Sequence, residues 1–319
     1  MRWITWDQAA AVAVVSGVAC LIVRTDRFRG WRESRRWRWA EPTAAELTIV
    51  ATLYAVWRLA RQLPFTRVDG ALERGLDIHR FEAWLGLPSE LALQHFVERH
   101  DWLGPPIADY YAYVHIPATV AGMVWLFARH RDHYPHWRNG LALVTLGCLI
   151  IRFVRVAPPR FFPELGFVDL ADRYGTSVYG PVGTGVSDQF AAMPSIHVAW
   201  AAVVSFGLFA VSTGRRRWLA LGHVAITAAI VSATAHHWWL DSVVALVLLA
   251  VALAADTTVR RRIATTGRAD KAEDLDLTDR AVSTDRPEPT DRPGLTGAGD
   301  VGEPGTAAPV HTRTSRETV

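Results

Sequence analysis

His237 and Asp241 stand four residues apart in the stretch His236-His237-Trp238-Trp239-Leu240-Asp241, a spacing that puts two side chains on one face of a helix. A carboxylate so placed can accept a hydrogen bond from one imidazole nitrogen, fix the tautomer and leave the other nitrogen as a nucleophile. Asp241 also heads the apolar run SVVALVLLAVALAA. An ionised carboxylate at membrane depth costs about 2.5–3.5 kcal/mol and needs a partner, and His237 is the nearest candidate. The plainer alternative is an Asp in interfacial water that only marks a helix start. His236, about 100° away around a helix, reads as an interfacial bystander.

A second stretch, Met193-Pro194-Ser195-Ile196-His197, has the form of a helix start. Proline there sacrifices no helical bond, and Ser195 suits the cap. The free N–H groups of a first turn, with the helix dipole, favour an anion such as phosphate. With His197 in the same turn, the site offers backbone donors, a hydroxyl and a titratable ring; a simple capped helix is the competing reading. A third stretch, Ala157-Pro158-Pro159-Arg160, presents a permanently charged guanidinium that forks onto phosphate oxygens. Arg152 and Arg155 either line the same pocket or snorkel to the interface. His115, in the middle of an apolar run, has no partner in the sequence and carries a weak functional flag. His79, His95, His100, His130, His133 and His136 lie in polar segments and read as solvated. The tryptophans around Trp31, Trp37, Trp39 and Trp238-Trp239 read as interfacial anchors.

The elements that must position these groups are membrane helices. Half of the 319 residues are hydrophobic and the formal charge is only +3. A span needs about 20 mostly apolar residues. Seven segments come close, near 7–23, 44–63, 106–128, 139–157, 191–212, 217–235 and 238–256. The expected fold is all-α, a polytopic transmembrane helical bundle of about six to seven spans. The first run is read as a retained span rather than a cleaved signal. Segment 67–103 mixes apolar and charged residues and predicts amphipathic interfacial helices broken near Gly86-Leu87-Pro88. Residues 158–189 read as a long ordered loop. The expected organisation is an N-terminal span and basic loop (1–43), a catalytic membrane domain (44–256) and a disordered cytoplasmic tail (257–319). Cys20 and Cys148 both sit in apolar runs, so no disulfide framework follows. No basic stripe interleaved with aromatics points to nucleic acid.

Basic clusters fix an expected orientation. They follow the first run (Arg24 to Arg38), the third (Arg129, Arg131, Arg138), the fifth (Arg215, Arg216, Arg217) and the seventh (Arg260, Arg261, Arg262). The positive-inside rule puts all four loops in the cytoplasm. The C-terminus is then cytoplasmic, and all three chemistry-bearing stretches meet on the extracytoplasmic face, with the plasma membrane as the expected location.

Arg160, then Pro194-Ser195-x-His197, then His237-x-x-x-Asp241 resemble the three-part signature of the type 2 phosphatidic acid phosphatase superfamily. APPR, the following GFVD (Gly166 to Asp169) and AAMPSIHVAW resemble its inositolphosphotransferase-like branch, which includes inositol phosphorylceramide synthases. The resemblance implies an antiparallel bundle of about six helices that needs no metal and no cofactor. It implies that His237 attacks phosphorus, Asp241 orients it, His197 protonates the leaving group and later activates the acceptor, and Arg160 and Ser195 bind phosphoryl oxygens. Two family positions differ: a Lys is replaced by Phe153, and a Ser-Arg pair by Ile230 and Val231. Arg155, Arg152, Ser232 or Thr234 are the candidates to compensate. The substrate implied is a lipid phosphate among membrane lipids, with water or a polyol or glycolipid hydroxyl as acceptor. A metal-dependent hydrolase using His236, His237 and Asp241 lacks an adequate ligand set in the sequence. A transporter or scaffold would place its polar groups at mid-span, whereas here they cluster at span ends.

Overall fold

The structure is a computed structural model that describes residues 4–25, 27, 30, 38–62, 69–176 and 189–284, with side chains as far as Thr266. Residues 177–188 of the predicted ordered loop and most of the tail, 285–319, lie outside the described residues. The long helices are α1 (Trp6–Arg24), α2 (Ala40–Ala60), α3 (Ala71–Trp84), α4 (Glu90–Glu98), α5 (Gly104–Arg129), α6 (Tyr134–Ile151), α7 (Ile196–Val211), α8 (Arg217–Ala233) and α9 (Trp239–Thr284). Among the described residues the only β-pairing is one parallel bridge between Val156 and Ala191.

Each of the seven apolar segments falls on a helix. Three of these, α1, α5 and α9 as far as Thr266, are long and apolar enough to cross a membrane, while α7 and α8 are apolar but shorter. Three ends differ from expectation. The fourth segment leaves the helix after Ile151, because Arg152, Arg155 and the following Pro158-Pro159 turn the chain away. The fifth begins at Ile196, since Pro194 and the Ser195 cap start it there. The seventh runs on: the backbone predicted as disordered from 257 is helical to Thr284. That stretch includes several Ala and Arg residues, good helix formers, and no proline follows Pro194 until Pro287.

The core lies where α5, α6, α7, α8 and α9 meet, around Met123, Leu126, Val144, Val198, Val203, Ile230 and Leu249. Close helix approach uses glycine: a Cβ at Gly122 would run into Val204, and one at Gly147 would meet Leu248 at 2.7 Å. α1 and α2 form a hairpin tied by Ser16 and Thr48 hydroxyls 3.0 Å apart and by Arg24–Glu41 at 2.8 Å. α2 is fastened to α6 where Glu46 accepts from Tyr134 at 2.9 Å and from Arg138 at 2.8 Å. At the same end Asp256 of α9 gathers His136, Asn139 and Arg260 within 2.7 Å. His136 is therefore a half-buried hydrogen-bond partner of Asp256 rather than a solvated residue.

The amphipathic helices α3 and α4 are broken at Leu85–Ser89 as predicted. Their outer faces expose Leu72, Phe81, Trp84 and Phe96, which suits an interfacial position. Their inner faces bury Glu82, Glu90 and Gln94 against the loops that carry the site.

Candidate active site

Helix α8 ends in a left-handed turn at Ala235 (φ 59°), an arrangement an L-residue adopts at a cost of about 1–2 kcal/mol. The turn lets His236 and His237 both donate their backbone N–H to Val231, at 3.0 and 3.1 Å, and leaves the Ala235 carbonyl to accept from Arg160 N at 3.0 Å. The first and third motifs are joined through that bond. The second joins the third through Ser195 N, which donates to the Asp241 carbonyl at 3.1 Å. The Val156–Ala191 bridge then holds the chain before Arg160 beside the chain before His197.

His237 precedes α9 rather than lying on it. It meets Asp241 because the carboxylate folds back over the helix start: Asp241 Oδ2 accepts from Trp238 N at 2.9 Å and lies 3.2 Å from His237 Nδ1, the reach of a third-position acid in a capping box. The nearer partner of Nδ1 is the Ala192 carbonyl, at 2.7 Å. A carbonyl only accepts, so Nδ1 carries the proton and Nε2 holds the lone pair. Sequence reasoning assigned this orienting role to Asp241 alone. The carbonyl shares it, and nothing in the residue types around Ala192 signals that.

His197 occupies the first turn of α7, its ring centroid 5.8 Å from that of His237. Ser195 is fully buried as the cap of that helix, its Oγ accepting from Val198 N at 3.4 Å. It does not line the cavity described below; the contact the structure gives its hydroxyl is the cap. Arg155 is buried too and is not among the residues lining that cavity, its carbonyl accepting from Arg74 Nε at 2.6 Å. Arg160 does line the cavity. Its Nε lies 3.5 Å from Asp169 Oδ2, and Asp169 in turn caps the short helix Leu170–Arg173 through Ala171 and Asp172 N–H groups.

His236 is not an interfacial bystander. It is buried, with its ring 4.5 Å from Tyr111 and its Nδ1 donating to the Thr234 carbonyl at 2.9 Å. Burial, and then the charge of Arg160, hold its pKa well below the usual histidine range. Trp238 is likewise no interfacial anchor. It is fully buried, donates to Ala157 O at 2.9 Å and packs on Phe162, Phe167 and His79, which also removes His79 from the solvated set.

Two acids missed in the sequence fix the start of α9. Glu82 accepts from Leu240 N at 2.6 Å and Glu90 from Trp239 N at 3.1 Å. Burial first, and then the neighbouring Glu90 carboxylate, push the Glu82 carboxyl up to about 9. Gln94 spans Val168 and Ala233, clamping the Asp169 loop to the end of α8. The signal available was an acid or amide at buried-face positions of an amphipathic segment.

The catalytic candidates open on a cavity of about 820 Å3. His197, His237, His236, Arg160, Arg152 and Arg61 lie at one end of it, and His115 and Tyr111 of α5 line it too. His115 stands 5.2 Å from the His197 ring, so its functional flag coincides with a place in the site wall. A π-turn at Tyr110–Val114 precedes it, a helical irregularity frequent at functional sites. Among the described residues, no three His, Cys, Asp or Glu side chains are grouped to hold a metal ion.

The family model described as the PAP2 superfamily matches residues 76–255, more than half of the chain. No curated protein and no solved structure matches. With its apolar helices, the chain is an integral membrane protein.

Proposed function

We propose, from the premise that the chain belongs to the PAP2 superfamily, that it transfers the phosphoryl group of a lipid phosphate through a phosphohistidine at His237. Membership carries phosphatase-type chemistry on phosphate esters. The observation that supports the nucleophile best is the bond from His237 Nδ1 to the Ala192 carbonyl, which leaves Nε2 with its lone pair. In the first step that lone pair forms the N–P bond while the P–O ester bond breaks. The departing oxygen takes the proton of His197. In the second step His197 removes a proton from water or an alcohol, whose oxygen attacks phosphorus and releases His237. Arg160 stabilises the phosphoryl oxygens in both steps.

A lipid donor is favoured because the histidines open on a mostly apolar cavity bounded by membrane helices. We place this end of the protein on the extracytoplasmic side of the plasma membrane, from the four basic clusters on alternate loops. The inositolphosphotransferase-like wording of APPR and AAMPSIHVAW supports an alcohol acceptor, a polyol or a glycolipid hydroxyl, alongside water. The reading assigns no step to a metal.

The deciding experiment incubates the purified protein with phosphatidic acid and with phosphatidylinositol, each with and without an added alcohol acceptor, and follows the products by mass spectrometry. Turnover that persists with a chelator and is blocked by vanadate supports the reading. Turnover abolished by the chelator, or absent from every lipid phosphate tried, overturns it.

A further inference from the structure

The cavity that holds the histidines does not stop at them. Along α5 it is lined by Tyr111, His115, Thr119, Met123 and Phe127, a stripe at four-residue spacing whose successive members are neighbours along the helix. Sixteen residues separate its ends, about 24 Å at 1.5 Å per residue. The facing wall is α2, through Val50, Tyr54 and Trp57 among others. At the end remote from His197 the slot reaches Glu46, Tyr134 and Arg138, the three side chains that fasten α2 to α6. The space is thus polar at both ends and apolar between, as its lining of Val50, Val120, Met123 and Leu141 shows.

These dimensions discriminate among lipids. One leaflet contributes about half of a hydrocarbon core of about 30 Å, and the slot is longer than that half. Its far end is closed by a hydrogen-bonded ion pair, where an alkyl chain has no favourable contact. Its α2 wall precedes residues 76–255, so it lies outside the family match and belongs to this chain.

We propose that the slot between α2 and α5 receives one long apolar chain of the substrate, and that the Glu46–Tyr134–Arg138 cluster is a stop that sets the chain length the enzyme prefers. The proposal rests on the lipid-phosphate reading above. It adds that chains longer than one leaflet are favoured, because only they fill the slot while the phosphate sits at Arg160 and His237. Filling is a packing effect: the chain leaves one apolar medium for another, so the gain comes from contacts rather than from escape from water.

Two measurements test it. First, the full-length protein in nanodiscs is photolabelled with an alkyl phosphate bearing a diazirine on its terminal carbon, and the labelled residues are mapped by mass spectrometry. Labelling of Met123, Phe127 or Leu141, slot-lining residues that are not exposed, is expected in both wild type and His237→Ala. Labelling confined to lipid-facing residues such as Val14, Val18 and Leu219 overturns the proposal. This readout needs no turnover, so it stands even where the phosphoryl-transfer reading fails. Second, octyl, dodecyl, hexadecyl and docosyl phosphates are compared as substrates of wild type and Val50→Trp, whose indole narrows the slot midway. In wild type kcat/KM is expected to rise along the series. In the variant, octyl phosphate is expected to be unaffected and docosyl phosphate to fall about tenfold or more, the scale of misfit in an apolar pocket. A flat series in wild type, or an equal fall for all chains in the variant, contradicts a chain-length stop. Should Val50→Trp not fold, the labelling pattern decides alone.

Discussion

The Nδ1 of His237 lies 2.7 Å from the Ala192 carbonyl oxygen, nearer than the 3.2 Å to Asp241 Oδ2. In a triad whose carboxylate alone sets the tautomer, converting that acid to its amide costs roughly 10^4 in rate, because the ring can take the wrong tautomer. Here the carbonyl enforces Nδ1–H independently. Asp241→Asn also keeps an oxygen able to accept from Trp238 N. The expected loss in kcat is therefore well below that scale, with KM little changed. A loss of the full roughly 10^4 in steady-state kcat would show that the carboxylate, not the carbonyl, governs the ring.

Loss of the acid is expected to be substrate-dependent. His197→Ala removes the group that protonates the leaving oxygen, and kcat on an alkyl phosphate should drop by about two to four orders of magnitude. An aryl phosphate, whose leaving group needs no proton, should lose much less in the phosphorylation step. Equal losses on the two substrates, measured by rapid quench, would remove His197 from the role of general acid.

Glu82 gives a stability test with a defined sign. Its carboxyl is raised from an ordinary value of 4.5 to about 9, so between those limits the folded protein holds a proton that the unfolded chain has released. The stabilising contribution is complete below the lower value and declines as pH rises through the window. Glu82→Gln keeps an acceptor for Leu240 N and has no proton to lose. Thermal unfolding in detergent should show a shallower fall in Tm from neutral pH towards pH 9 in the variant. An unchanged slope would mean that Glu82 is already ionised near neutrality.

Much of the site was legible in the sequence, because its chemistry is carried by residue types with few other uses at span ends. Arg160, His197, His237 and Asp241 were all picked out from spacing, and the fold brings them together. What escaped detection depended on tertiary contacts with no local signature. The Ala192 carbonyl is a backbone atom that any residue would supply. His236 and Trp238 read as interfacial because the sequence does not show that Tyr111 of α5 packs on the first and that α3 and α4 cover the second. Ser195 is the helix cap that its residue type suggests, and the fold buries it there. The α-helical class followed from the apolar runs. Their ends moved where Pro158 and Pro194 act, and α9 runs past its expected end through a stretch with no proline before Pro287.

Orientation is tested by accessibility. Asp101 and Thr213 are exposed at opposite ends of the helices, and the native Cys20 and Cys148 are buried, so background labelling should be low. With the basic clusters cytoplasmic, Asp101→Cys should react with a membrane-impermeant maleimide in intact cells, and Thr213→Cys only after lysis. The reverse pattern would invert the assignment and place the histidines on the cytoplasmic side.

The covalent intermediate is the centre of the account, and it can be trapped. Wild type and His197→Ala are mixed with an aryl phosphate, quenched in base to preserve a phosphoimidazole, digested and sequenced by mass spectrometry. Phosphate is expected on His237, more abundant in His197→Ala because its second step lacks a base, and absent from His237→Ala together with turnover. Phosphate found on His236 or His197 instead, or turnover that survives His237→Ala, would contradict the assignment of the nucleophile.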